Sequence, residues 1–322
     1  MPKTNERKCA VIGCGFVGAT TAYSLMQSKL FSEMVLIDID RPKAEGEAAD
    51  LSHGLPFNAP MEIYAGDYKD LADCAVVIIT AGAGQRPGQS RMDLVEQNVR
   101  IFSSIVTNIR QSGTEAILLV VTNPVDVLTQ ITLEISGFPR ERVIGSGTVL
   151  DTARLKYLLG KRFGVDMRNI HAFIIGEHGD SELPVFSSAN ISGINLEDFC
   201  NASRRRDGLC SPESLYPLFE EVKGSAYKII EGKGATYYAI AESVRRIVSA
   251  IVRDEKAILP VSASVSDYYG VHDLCISVPC VVGRGGIEDV LQIPLNDFEQ
   301  EKFRESAAIL RRALDAVGAD KR

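Results

Sequence analysis

A short apolar run that stops on a glycine-rich turn is the feature that most constrains this chain. Residues 9–12 lead directly into Gly13-Cys14-Gly15-Phe16-Val17-Gly18, and a helical stretch follows to about residue 27. The next apolar run, residues 34–37, ends on Asp38, twenty residues past Gly18. In this strand–turn–helix–strand setting each glycine has its own reason: Gly13 for a tight turn, Gly15 for backbone approach to a pyrophosphate, Gly18 for close packing of helix on strand. The helix N-terminus, which opens with Phe16 and Val17, offers unpaired N–H groups and partial positive charge to phosphates. Asp38 can accept hydrogen bonds from both ribose hydroxyls and would repel a 2′-phosphate. The pattern therefore points to NAD rather than NADP. Cys14 reads as a small packed residue, not a redox centre.

The rest of the first half repeats the alternation. Residues 75–80 and 117–121 are strand-like runs rich in Val and Ile, and residues 93–110 between them carry apolar side chains at helical spacing. Short buried strands separated by helices imply a doubly wound parallel sheet, which binds ligands beyond the carboxyl ends of its strands. The second half differs. Helices are expected at residues 150–163 and 235–253, the latter with Ile240, Val244, Ile247 and Ile251 along one stripe. A strand is expected at 172–175, and strands at 258–265, 275–282 and 290–293 with a glycine turn at Gly283, Gly285 and Gly286. A closing amphipathic helix presents Leu310, Leu314 and Val317. The fold expected is α/β: a Rossmann doubly wound domain over residues 1–148, then an α+β substrate domain over 149–322.

A chain of 322 residues is long enough for two such cores. With 45% apolar and 24% charged residues it is neither disordered nor fibrous. No apolar run approaches the length of a membrane span, and the polar N-terminus is not a secretory signal. Cytoplasmic localisation is expected, with its seven cysteines as reduced thiols. No Cys/His cluster has metal-site spacing, so no metal is expected. The net charge of −7 argues against nucleic-acid binding. It also means that an anionic ligand must be captured by specific arginines. The basic run Arg204, Arg205 and Arg206 reads as a solvated helix face.

Among the four histidines, His178 stands out. It lies in Gly176-Glu177-His178-Gly179-Asp180-Ser181-Glu182, just after an apolar run, where a tight turn can present a side chain at the end of a strand. Asp151 and Arg154, at i and i+3, share one helix face. One could orient an imidazole while the other binds an anion; a plain ion pair within the helix is the alternative.

Taken in order, the glycine fingerprint, Asn123-Pro124-Val125-Asp126, Asp151-xx-Arg154 and His178-Gly179-Asp180 resemble the lactate and malate dehydrogenase family over nearly the whole chain. The resemblance implies NADH-dependent reduction of a 2-keto acid, with His178 as proton donor and Asp151 holding its ring. It implies Arg154 as the substrate-carboxylate clamp and Arg91 as the group that polarises the carbonyl, carried by a loop resembling the family's mobile segment, Gln85-Arg86-Pro87-Gly88-Gln89-Ser90-Arg91. Asn123 would position nicotinamide and substrate, Ile240 would wall the nicotinamide, and Thr236 would lie near the substrate methyl.

Within the family, the position two residues before Pro87-Gly88 separates the branches: arginine in malate enzymes, glutamine in lactate enzymes. Here it is Gln85, with Arg86 beside it. Pyruvate and lactate are therefore the expected substrates, with oxaloacetate and malate as the alternative. A non-catalytic NAD-binding scaffold and a metal-dependent NAD glycosidase on a related fold are further alternatives. Bacterial relatives resemble one another in binding fructose 1,6-bisphosphate between subunits of a homotetramer through an arginine and a histidine. Lys156 and His171 occupy those positions, so weak or absent activation is expected, because lysine lacks the bidentate fork.

Overall fold

The structure, a computed structural model, describes residues 4–84, 91–202 and 208–318. The first half is a βα alternation: β1 (Asn5–Ile12), α1 (Phe16–Ser28), β2 (Glu33–Ile37), α2 (Arg41–His53), β3 (Glu62–Ala65), β4 (Cys74–Ile79), α3 (Arg91–Gln111), β5 (Ile117–Val120), α4 (Val125–Ser136) and β6 (Val143–Gly145). These six strands are all parallel and lie in the order β3-β2-β1-β4-β5-β6. That is the doubly wound arrangement, with its reversal of strand order between β1 and β4. Strands β4 and β5 are almost wholly buried, as the unbroken apolar runs require of a sheet covered on both faces.

The second half opens with α5 (Val149–Phe163), then short strands β7 (Ile170–His171), β8 (Ile174–Ile175), β9 (Leu183–Pro184), β10 (Asn190–Ile191) and β11 (Ile194–Asn195). Helices α6 (Leu196–Asn201), α7 (Pro212–Lys233) and α8 (Tyr238–Val252) follow, then β12 (Ala257–Val265), β13 (Leu274–Gly283), β14 (Gly286–Val290) and α9 (Asp297–Gly318). A second core of α5, α7 and the short strands gathers Leu155, Leu159, Leu215, Phe219 and Val222.

Several elements depart from the sequence reading. Helix α7 was not expected. Pro217 within it signals a break, yet Leu215, Phe219 and Val222 fall on one face and bury against α5. Tertiary burial overrides the local penalty. Helix α8 begins at Tyr238 rather than 235, because Gly234 ends α7 in the left-handed conformation. Of the strand expected at 172–175 only β8 forms, and β7, just before it, pairs in a different sheet. The last strand is 286–290, not 290–293, because Gly283 pairs directly with Gly286 and starts it early.

The β12–β14 hairpins do not form a sheet of their own. They extend the parallel sheet, with β12 antiparallel to β6 through Ser262 and Gly145. A Cβ on Gly145 would come within 2.7 Å of the Ser262 Cβ, so this junction requires glycine. The expectation of reduced thiols is also corrected: Cys200 and Cys210 are disulfide-bonded. Their Cα atoms are 6.2 Å apart, within bridging range, because the end of α6 and the chain entering α7 meet there. The other five cysteines are buried and free.

Candidate active site

The carboxyl ends of β1, β2, β4 and β5 open onto two adjoining hollows. The first, a cleft of about 610 Å³, is lined by Gly13, Gly15, Asp38, Ile39, Lys43 and Thr80 among others. Gly13 sits at φ +101°, and a Cβ there would meet Ala81 at 2.5 Å. A Cβ on Gly18 would collide with the Gly13 carbonyl oxygen at 1.8 Å, so helix and turn pack as closely as the fingerprint predicts. Above Gly15 there is nothing within 4 Å. Helix α1 has no side-chain cap and no acid in its first turn, which leaves its N–H groups to a ligand anion. Asp38 is held by the backbone N–H groups of Cys14 (2.6 Å) and Asp40 (2.9 Å). Beside it Ile39 is fully exposed, an apolar surface that a flat ring would cover. These features fit a dinucleotide.

The glycine geometry separates folding from binding. Gly15→Ala is expected to leave the melting temperature unchanged, since Gly15 has φ −73° and open space above it, yet to weaken NADH binding about tenfold or more. Gly18→Ala is expected to lose stability as well. Fluorescence titration with NADH beside thermal melts checks both.

The second hollow, about 340 Å³, is lined by Asn123, Asp151, Arg154, His178, Glu182 and Tyr227 among others. Its centre is one buried carboxylate. Asp151 Oδ2 faces His178 Nδ1 at 2.6 Å, and Asp151 Oδ1 accepts from Arg154 Nη1 at 2.9 Å. The i, i+3 spacing on α5 thus does both things the sequence suggested. Burial alone would push Asp151 up, but the charges of His178 and Arg154 hold it below the usual carboxylate range. Burial alone would push the His178 ring down, but the Asp151 charge and hydrogen bond outweigh it and raise the ring to about 9.

Three residues without a role in the sequence reading complete the support. Asp126, fully buried at the start of α4, accepts the backbone N–H of His178 at 2.7 Å and the Ser277 hydroxyl at 3.2 Å. Burial lifts its carboxyl to about 6. Asn98 on α3, also buried, accepts from the Ala83 N–H at 2.7 Å and donates to the Asn123 carbonyl at 3.0 Å. It ties the chain after β4 to the turn after β5. Glu182 places a third donor group by Asp151 and His178, all within 4.8 Å. Cys/His spacing does not reveal this cluster, because two of its three members are carboxylates. As a metal site it is disfavoured: the Asp151 and His178 donors already face each other, and the Arg154 guanidinium adds positive charge beside them.

Other expected residues lie elsewhere. Phe16 is exposed and stacks on Tyr237 at 5.4 Å, while Val17 packs against the core. Thr236 and Ile240 lie at the start of α8, which packs on α1; neither is among the described residues lining the His178 hollow. Lys156 is half-buried on α5, and His171 is exposed on β7, which packs on α5. Gln85, Arg86 and the Arg91 side chain lie outside the described residues, as do Arg204, Arg205 and Arg206.

A family model described as "lactate/malate dehydrogenase, NAD binding domain" matches residues 7–145, and one described as "lactate/malate dehydrogenase, alpha/beta C-terminal domain" matches residues 148–320. The chain belongs to the lactate/malate dehydrogenase family. It is an NAD-dependent oxidoreductase. The L-lactate dehydrogenase of Acetivibrio thermocellus is 53% identical, over 97% of each chain. That of Priestia megaterium is 50% identical, over 98% of this chain and 97% of the other. Among solved structures, a lactate dehydrogenase from a Medee basin deep-sea metagenome library superposes with a TM-score of 0.93 at 42% identity, covering 99% of this chain and all of that one. The minor L-lactate dehydrogenase of Enterococcus mundtii also superposes at 0.93, with 39% identity, over 97% and 98% of the two chains.

Proposed function

We propose that the chain catalyses the reversible NADH-dependent reduction of pyruvate to (S)-lactate. The observation that carries this reading is the Asp151 carboxylate joined on one side to His178 and on the other to Arg154, in a hollow beside the dinucleotide cleft. When bound in that cleft, NADH supplies the hydride. Asp151 accepts the Nδ1 proton of His178, which fixes the ring's orientation and leaves Nε2 to give its proton to the substrate oxygen. Arg154 engages Asp151 through Nη1, its one ion pair among the described residues, so the rest of its planar fork can clamp a substrate carboxylate. Arg91 polarises the carbonyl as negative charge develops on it. Asn123 orients the substrate, Thr236 faces its methyl group, and Ile240 supports the nicotinamide. Gln85 reads the far end of the substrate and offers no charge to a second carboxylate. An absorbance assay of NADH with pyruvate, oxaloacetate and a bulkier keto acid tests the reading. Preferred turnover of oxaloacetate would replace it.

The chain divides near residues 148–149 into cofactor and substrate domains. A cytoplasmic homotetramer is the proposed working form; no helix among the described residues is long and apolar enough to cross a membrane. Lys156 and His171 are proposed as a weak fructose 1,6-bisphosphate site. Burial and the nearby charge of Arg246 lower the Lys156 ammonium, so a sugar bisphosphate would relieve a local excess of positive charge. Without bidentate arginine geometry the gain is small. Pyruvate reduction is expected to change less than about threefold with the bisphosphate present. Strong activation at micromolar effector would overturn this.

A further inference from the structure

Glu182 is a buried acid that the mechanism above does not use. It sits just before β9, and β8 and β9 pair through Ile175 and Leu183, so the loop between them returns on itself. His178 and Glu182, near the two ends of that loop, converge on the same Asp151 carboxylate. Glu182 is only 6% exposed and Asp151 only 2%. Two buried carboxylates this close cannot both ionise at low cost. The surrounding charges decide which one does. Asp151 has His178 and Arg154 in direct contact. Glu182 has no ion pair of its own among the described residues. The charges that reach Glu182 are Asp151, which opposes its ionisation, and His178 and Arg154, which favour it; Asp180 on its own loop and Lys223 on α7 line the same hollow. Burial and the Asp151 charge outweigh the two cations, and Lys223 is drawn toward Glu220.

We propose that Glu182 is a positioning residue that stays a neutral carboxylic acid and donates its proton in a hydrogen bond to Asp151, thereby setting the basicity of His178. This rests on the reading of His178 as the proton-transfer group. Burial and the Asp151 charge hold Glu182 well above the usual carboxylate range, and its carboxyl oxygen lies within 4.8 Å of the Asp151 and His178 donor atoms. A donor on Asp151 spreads its charge and weakens its pull on the imidazolium. It also keeps Asp151 stabilised when Arg154 turns to a substrate carboxylate. The histidine then stays within reach of the neutral form that lactate oxidation needs.

The test compares Glu182→Gln and Glu182→Leu in the full-length protein. Glutamine keeps a neutral donor, so the pH profile of pyruvate reduction should overlay the parent's. Leucine removes the donor, and the alkaline limb should move up by about one pH unit, with lactate oxidation near neutral pH about tenfold slower. A downward shift in the glutamine variant would show that Glu182 is an anion; no shift in either would show a merely structural role. Each overturns the proposal. Infrared spectroscopy needs no substrate. A protonated-carboxyl C=O band should be present in the parent and lost in Glu182→Gln, which also separates it from any band of Asp126. Its absence from the parent overturns the proposal, whatever substrate the enzyme prefers and even where the leucine variant fails to fold.

Discussion

His178→Asn is expected to lower kcat for pyruvate reduction by about 10³-fold, within the range that one positioned acid–base group contributes. Asparagine is of similar shape and its side-chain amide can still donate to Asp151, so the fold should persist. It has no proton to transfer, so the loss falls on kcat, while NADH binding in the separate cleft stays unchanged. The pH dependence of the parent carries the same logic. Reduction needs the imidazolium, and the ring is raised to about 9 by Asp151. Reduction should therefore be level at neutral pH and fall as pH rises through about 9. Lactate oxidation needs the neutral ring and should rise over the same interval. Asp151→Asn removes the charge but keeps the shape. Burial then dominates, the ring drops, and the alkaline limb of reduction moves to lower pH. A profile in Asp151→Asn that overlays the parent's would mean that Asp151 does not set the histidine's basicity.

Much of this site is legible in the sequence because its signals are local. The fingerprint Gly13, Gly15 and Gly18 with Asp38 spans one strand–helix–strand unit, and the collision that a Gly18 side chain would meet shows why the spacing is what it is. Asp151 and Arg154 are one helical turn apart, so their shared face follows from geometry alone. Other parts depend on contacts distant in the chain. Asp126 meets His178 across 52 positions, and Asn98 meets Asn123 across 25. In the run Glu177, Asp180 and Glu182, only the folded loop decides which acid turns toward Asp151. The strands of the second half show the same limit. The glycine turn at Gly283 to Gly286 predicts the hairpin of β13 and β14, but the edge of the sheet that β12 joins is decided by Gly145 and Ser262.

Gln85→Arg is expected to shift the ratio of kcat/KM for pyruvate over oxaloacetate toward oxaloacetate by on the order of 10³-fold. Oxaloacetate differs from pyruvate by a second carboxylate. In a site closed to water an unpaired charge costs several kcal/mol, and about 1.4 kcal/mol is tenfold. A neutral amide at position 85 leaves that charge unpaired; an arginine pairs it through two hydrogen bonds. Gln85 lies outside the described residues, but one flank of its segment lines the dinucleotide cleft and the other the substrate hollow. On one side Ala83 is pinned to Asn98, which also holds the Asn123 carbonyl. On the other, Leu94 and Val95 of α3 line the hollow with His178 and Arg154. Arg86 supplies the control: if it were the selector, Arg86→Gln would change the ratio and Gln85→Arg would not. Steady-state kinetics with both keto acids on both variants decides between them, and an unmoved ratio in Gln85→Arg would remove Gln85 as the residue that favours pyruvate.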